Sequence, residues 1–209
     1  MDAEYYFKDD VAYERVTRIL DYFTTPELVD WKVRVGKKEA GRIARVATKF
    51  GSRVHEIIET GCEVSKKDGE EVRNCIKAFN SWRADFANPE LNNGKTLFCE
   101  KRKIAGTPDA MWGSVLIDFK TSREVKASHF VQLGAYASLM EEKPKSLAIL
   151  RLDKQLGIYE WVTNEKIGVT VDQCMASFNY LLGYYRFYNM VQSAIKPNMA
   201  TPEGEEDEP

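Results

Sequence analysis

The chain has 209 residues, which suits one domain or one domain with an added helical subdomain. With 44% hydrophobic and 30% charged residues it can bury a sizeable core and stay soluble, and no apolar run approaches the ~20 residues of a membrane span. The net charge of -2 excludes a uniformly basic nucleic-acid binder, so any such signal must be local.

The opening Met1-Asp2-Ala3-Glu4-Tyr5-Tyr6-Phe7-Lys8-Asp9-Asp10 is acidic and aromatic, unlike a secretory signal or an Arg-rich transit peptide, and a cytoplasmic location is the default expectation. Residues 11–23 are expected to be helical, with Val16, Ile19, Leu20 and Phe23 on one stripe. Thr25-Pro26 then reads as a helix start, the threonine as N-cap and the proline in the first turn, with Leu28, Trp31 and Val35 inward and an end near Gly36. A long helix follows from about Lys38 to Gly61, its stripe running through Ile43, Val46, Phe50, Val54 and Ile57. Between Trp31 and Val54 lie Lys32, Arg34, Lys37, Lys38, Arg42, Arg45, Lys49 and Arg53, opposed only by Glu39. Such one-signed charge points to phosphate binding at least as much as to an ordinary solvated face. His55 lies beside the stripe, with Gly51 one turn before and Glu59 one turn after. A lone helical histidine is more often structural, so its weight depends on what else converges there.

A helix over about Glu70 to Phe86 places Val72, Ile76, Phe79 and Trp82 inward. Residues 88–94 read as a loop and Lys95 to Lys103 as a strand. Glu100 in that strand could reach a site, although pairing with Arg102 or Lys103 on the surface is the simpler reading. The stretch from Ile104 to Ser122 reads as a β-hairpin turning at Gly113-Ser114. Asp118 and Lys120 leave one face of its second strand, Val115, Ile117 and Phe119 the other. The hairpin can bring Asp109 beside Asp118, converging two carboxylates and an ammonium. Carboxylates suit a hard cation such as Mg2+, and a neighbouring lysine can orient a water or stabilise phosphate charge. For a lone Asp-x-Lys, a solvated charged hairpin is the commoner outcome.

A helix from about Ala127 to Glu142 puts His129, Gln132 and Tyr136 on one face, with Val131, Ala135 and Leu139 directed to the core. Strands over Ser146 to Leu152 and Gly157 to Val162 are joined through Asp153-Lys154-Gln155. The last helix, about Val169 to Ile195, carries Phe178, Tyr180, Tyr184, Tyr185, Phe187 and Tyr188, more often a packing face than a base-stacking platform. Residues 197–209 read as a disordered acidic tail, whose run Glu203 to Glu208 holds five acids and no base. It could solubilise the chain, bind a protein partner, or shield the basic surface as a DNA mimic. Cys62, Cys75, Cys99 and Cys174 form no C-x-x-C pair, which argues against a zinc ribbon or Fe–S cluster and for small, buried or half-buried residues in a reduced compartment.

In order, the pattern is His55, Gly106-x-x-Asp109, Asp118-x-Lys120 and Gln132-x-x-x-Tyr136. This resembles the PD-(D/E)XK nuclease superfamily and, within it, the RecB-like exonuclease branch. Arg15-Val16-Thr17-Arg18-Ile19-Leu20, Trp31 and Phe50-Gly51-Ser52-Arg53-Val54-His55 look like the opening of the mitochondrial genome maintenance exonuclease group and its phage relatives. The resemblance covers roughly residues 13–165. It implies an α/β, restriction-endonuclease-like core with a central mixed β-sheet flanked by helices, over residues 91–196, preceded by an N-terminal helical region over residues 1–90. It also implies Mg2+ or Mn2+ as cofactor, one or two ions. Asp109 and Asp118 would be metal ligands, supported by the Phe119 carbonyl and His55. Lys120 would position or activate water, Gln132 would hold Lys120 or a phosphate, and Tyr136, Arg42, Arg45, Lys49 and Arg53 would contact DNA. The second acid is Asp118 rather than Glu, a common variation, and only Cys174 follows the Gln/Tyr helix, unlike the Fe–S members.

The function implied is a metal-dependent DNA exonuclease acting on single-stranded ends in replication, repair or recombination, encoded by a phage. A structure-specific endonuclease with the same site is the nearest alternative. A DNA-binding module with a dead site is disfavoured by the presence of Asp109, Asp118, Lys120 and Gln132. A purely structural helical protein would leave those residues unexplained.

Overall fold

The computed structural model, which describes residues 5–23 and 25–195, opens on a β-hairpin rather than a helix. Strands β1 (Tyr5–Lys8) and β2 (Val11–Arg15) pair antiparallel, Lys8 opposite Val11, so Asp9 and Asp10 alone make the turn. Both have positive φ, 49° and 61°, as a two-residue hairpin matched to strand twist requires, and aspartate is among the residues that tolerate it. The helix expected over residues 11–23 is confined to α1 (Val16–Asp21). Its stripe is real, with Val16 and Ile19 buried, but Phe23 is 63% exposed.

Thr25 caps α2 (Pro26–Val35) as expected, its hydroxyl accepting from the Leu28 N–H. The inward face assigned to α2 is corrected, because none of its residues is buried. Much of the first half of α3 (Lys37–Thr60) is open too: Ala40 is buried, but Ile43 and Val46 are exposed, and burial resumes at Val54 and Ile57. Helix α4 (Glu70–Asp85) buries Val72, Phe79 and Trp82 and half-buries Ile76.

The segment read as a loop holds the short β3 (Asn92–Asn93). The strand expected over 95–103 is split into β4 (Leu97–Cys99) and β5 (Ile104–Gly106) by a turn that ends on Lys103 at φ 45°. Glu100 therefore sits on that turn, contacting Lys8 and Lys103 and accepting from the Tyr13 hydroxyl at 2.7 Å. A four-stranded sheet runs β1-β2-β5-β4, with β2 and β5 parallel, so segments 1–90 and 91–196 share a sheet.

The hairpin of β6 (Ala110–Trp112) and β7 (Val115–Lys120) forms as expected, with Asp109 just ahead of β6. It lies in a five-stranded mixed sheet, β3-β6-β7-β8-β9, completed by β8 (Ser146–Leu152) and β9 (Tyr159–Thr163). The pair β7–β8 is parallel and joined through α5 (Ala127–Ala137), which is shorter than expected. Alternation along β7 divides the core. Leu116 packs with Leu147 and Ile149 among α1, α5 and the last helix, α6 (Val171–Ile195), while Ile117 and Phe119 pack with Leu150 among α3 and α4. On α6 the aromatics divide too: Phe178 and Tyr185 are buried, whereas Tyr180, Tyr184, Phe187 and Tyr188 are exposed. The helix, 25 residues long, rests one face on α5 and α1 and turns the other to solvent. Cys75 and Cys174 are buried and Cys99 half-buried, but Cys62 is exposed, against expectation. No helix among the described residues is long and apolar enough to cross a membrane. The acidic tail lies outside the described residues.

Candidate active site

The geometry follows from period-2 alternation on β7. Asp118 and Lys120 point to the side on which α5 packs, and Phe119 points to the side of α3. Asp118 is 1% exposed, and the Lys120 ammonium lies 2.5 Å from its Oδ2. From α5, Gln132 Oε1 accepts from Lys120 Nζ at 3.1 Å, and Gln132 Nε2 donates to the Tyr136 hydroxyl at 3.0 Å. Lysine, glutamine and tyrosine thus form one chain of hydrogen bonds.

Asp109 closes the hairpin from its other end. Its Oδ2 accepts from the Phe119 N–H at 2.7 Å, and its Oδ1 faces His55 Nδ1 at 3.3 Å. The second ring nitrogen of His55 lies 3.0 Å from the Phe119 carbonyl oxygen. His55, on α3, therefore bridges a carboxylate and a carbonyl on the opposite strand. With both nitrogens facing oxygens, its protonated form can donate to each.

Two pKa shifts follow. Burial pushes the Asp118 carboxyl up to about 6, with Lys120 acting against that rise and Asp109 adding to it. Burial alone would lower His55, but the Asp109 carboxylate, by hydrogen bond and by charge, together with Asp118 outweighs it and holds the imidazole above its ordinary value. Each raised pKa means that the folded state binds a proton more tightly than the unfolded chain. Stability of the metal-free protein should therefore fall as pH rises from about 4 to about 6, and fall further as it rises past about 6.5. Thermal melts in EDTA across this range test it: His55→Gln should flatten the upper part only. An unchanged upper slope would assign it to other groups.

Tyr136 is 4% exposed, and burial, then the field of Asp118, pushes its phenol well above the ordinary range. Its ring closes on the Gly106 backbone, where an added Cβ would meet Tyr136 Cε1 at 2.6 Å. That contact gives the glycine of Gly106-x-x-Asp109 a physical reason. Gly106→Ala should cost about 1–3 kcal/mol by overpacking and displace the Tyr136 ring. Denaturant melts check the first effect, and quenching of tyrosine exchange in NMR spectra the second.

The basic residues are placed less uniformly. Arg45 and Lys49 lie on the exposed first half of α3. Arg42 is held by Glu39 at 2.9 and 2.7 Å. Arg53 is committed to Asp68, through two bonds of 2.9 and 2.8 Å, and to Glu56. In the fold it ties α3 to the turn before α4.

Among the described residues, no three His, Cys, Asp or Glu side chains gather as a ready metal cage. The donor set is sparse: two carboxylates and a backbone carbonyl, with His55 alongside. Mg2+ keeps several waters and commonly takes one or two carboxylates plus substrate oxygens, so sparseness alone suits it. Neither Asp118 oxygen, among the described residues, has a well-aligned hydrogen bond, the Lys120 contact included. Oδ2 still faces the Lys120 ammonium, whereas Oδ1 is a buried carboxylate oxygen that a bound cation would satisfy.

Two cavities flank this cluster and share His55 and Phe119. The first, about 210 Å³, is walled by Asp109, Glu59, Tyr6, Arg15, Thr17 and Thr107. The wall from Tyr6 to Thr17 is invisible when residues 11–23 are read as one helix. The signal that could have revealed it is the Asp9-Asp10 pair between aromatic and apolar residues.

No family model matches the chain, and no curated protein does. Solved structures do. An alkaline exonuclease, LHK-Exo, from Laribacter hongkongensis superposes at TM-score 0.50 and 11% identity, over 90% of this chain and 93% of that one. The protein SSO0001 follows at TM-score 0.43 and 15% identity, over 88% of this chain and 78% of that one. The first likeness is one of fold: a mixed α/β nuclease fold, with sheets flanked by helices. At 11% identity it is a likeness of fold alone, and it does not single out the mitochondrial genome maintenance group.

Proposed function

We propose that this protein is a metal-dependent deoxyribonuclease that removes nucleotides from DNA ends, single-stranded ends above all. The observation that carries this is the convergence at the end of β7: Asp109, buried Asp118 and Lys120 drawn together, with Gln132 holding the lysine. The fold of an exonuclease supports it. Asp109, Asp118 and the Phe119 carbonyl would hold Mg2+ or Mn2+, with His55 in support. Such an ion, when bound, lowers the pKa of a water and draws charge from a phosphoryl oxygen.

The chain's own residues do the rest. Lys120 presents its ammonium where an attacking water or a phosphate oxygen would lie, and Gln132 fixes its direction. Tyr136 fixes Gln132 in turn, so its part in DNA binding runs through the wall of the first cavity rather than through an exposed ring. Arg45 and Lys49 would attract the phosphate backbone from the exposed half of α3, which gives salt-dependent binding. A role in replication, repair or recombination, encoded by a phage, is consistent with that activity.

Digestion of end-labelled linear and circular DNA, single- and double-stranded, with Mg2+, Mn2+ or EDTA tests the proposal. Metal-dependent loss of linear but not circular substrate is the expected result. Cutting of circles would replace the exonuclease with an endonuclease that uses the same residues, and DNA binding without cleavage would leave a binding module.

A further inference from the structure

We propose that the second cavity seats the backbone phosphate next to the one that is cut, with Lys154 as its charged contact and Gly51 as its floor. The inference rests on the nuclease reading above and assigns a subsite within it.

The two cavities differ in charge. The first contains two carboxylates, Asp109 and Glu59, beside one arginine, Arg15. The second, about 260 Å³, is lined by Lys120, Lys154, Thr121 and Ser122, and no acid is among its lining residues. The acids thus lie on one side of the His55–Phe119 partition only, and the other side offers an anion two lysines and no carboxylate. A strand whose scissile phosphate lies at Lys120 must place a neighbouring phosphate on one side of it. The lysine-lined cavity is the side that would attract it.

Lys154 is built in rather than draped over the surface. It sits in the β8–β9 turn, where Asn74 Nδ2 donates to the carbonyls of Lys154 and Gln155 at 3.0 and 3.1 Å. Asp153 Oδ1 accepts from the Gln155 and Leu156 N–H groups at 2.9 Å each. The ammonium stands over the Phe50 ring, 5.1 Å from its centroid. Its one ion pair among the described residues, Glu71 Oε1 at 3.6 Å, is long and goes to an oxygen already bonded by Gln155 Nε2 at 2.6 Å. That leaves most of its charge for a ligand.

Gly51 supplies an independent observation. It lies within α3, where glycine is the poorest helix former after proline. No close packing demands it, because an added Cβ would meet only Thr121 Oγ1, at an ordinary 3.6 Å. What glycine preserves there is open space on the cavity side of the helix.

The test is binding of a fluorescent single-stranded oligonucleotide in EDTA, followed by anisotropy over a salt series, for wild type, Gly51→Ala and Lys154→Gln. Gly51→Ala should melt at the same temperature or higher, yet bind roughly 5–10-fold more weakly. Lys154→Gln should lose a similar factor and flatten the slope of log K against log salt by about 0.7, one single-strand phosphate contact. In Mg2+, both should raise KM with kcat within about threefold. Variants that bind within about twofold of a wild type that cleaves DNA would overturn the subsite and leave the nuclease standing. A wild type that binds but never cleaves, with both variants weakened, would remove the catalytic reading and keep the subsite. Equal losses in kcat and kcat/KM would place the two residues in the chemistry and overturn the assignment to a neighbouring phosphate.

Discussion

Lys120→Ala is expected to abolish cleavage, with a fall in kcat of roughly 10³-fold or more, while single-stranded DNA still binds within about tenfold of wild type. Removing one preorganised charged donor from a buried site typically costs about 10²–10³ in rate. Here the same ammonium also faces buried Asp118 and is aimed by Gln132, so no neighbour stands in for it. A simple loss of folding would mimic this result, and the geometry provides the control. Lys120→Ala leaves the Asp118 carboxylate without its counter-charge at 1% exposure, which should lower the melting temperature. Adding Asp118→Asn removes the orphaned charge and should recover much of the lost stability without any recovery of cleavage. If the double variant melts like wild type and still cuts DNA, the site lies elsewhere.

The second large effect concerns the fold. Trp82 is fully buried at the centre of an aromatic cluster, its ring 5.9 Å from Phe79, 5.7 Å from Phe86, 6.2 Å from Trp112 and 5.3 Å from Trp161. Trp82→Ala should cost about 3–5 kcal/mol, the range for deleting a large buried aromatic. For a chain of this length that is a drop of roughly 6–20 °C in Tm. Trp82→Phe should cost far less, because the indole N–H finds no acceptor among the described residues and phenylalanine removes that unpaired donor. Calorimetry of the two variants decides it. Similar losses from both would mean that the indole makes a bond through water.

The elements that sequence made legible are those whose pattern is local. The hairpin carrying Asp109, Asp118 and Lys120 is marked by a Gly-Ser turn between apolar runs, and α4 by a clean three-four repeat. The pairing of Gln132 with Tyr136 follows from their four-residue spacing on a helix. Where periodicity failed, it failed for physical reasons. The apolar stripe of α2 and early α3 has the spacing of a buried face, yet among the described residues these helices find little beyond each other to pack on. Val11 to Phe23 carries a helical spacing that the strand pairing of residues 11–15 overrides, because β5 offers an edge to pair with. Lys154 gave no local signal at all. Its nearness to Phe50 is a product of two elements folding onto the same sheet.

The parallel pairing of β2 with β5 bears on the order of assembly. Glu14 lies opposite Ile104, so the edge that receives the first hairpin is synthesised well after the hairpin itself. The hairpin can form alone within microseconds, but docking it closes a long loop, and that entropy is spent before the contact rewards it. The strands that wall the first cavity are thus among the late contacts of folding, while the β7 hairpin with its carboxylates is closed locally. A newly made chain would assemble its charged residues first and acquire the enclosure around them afterwards.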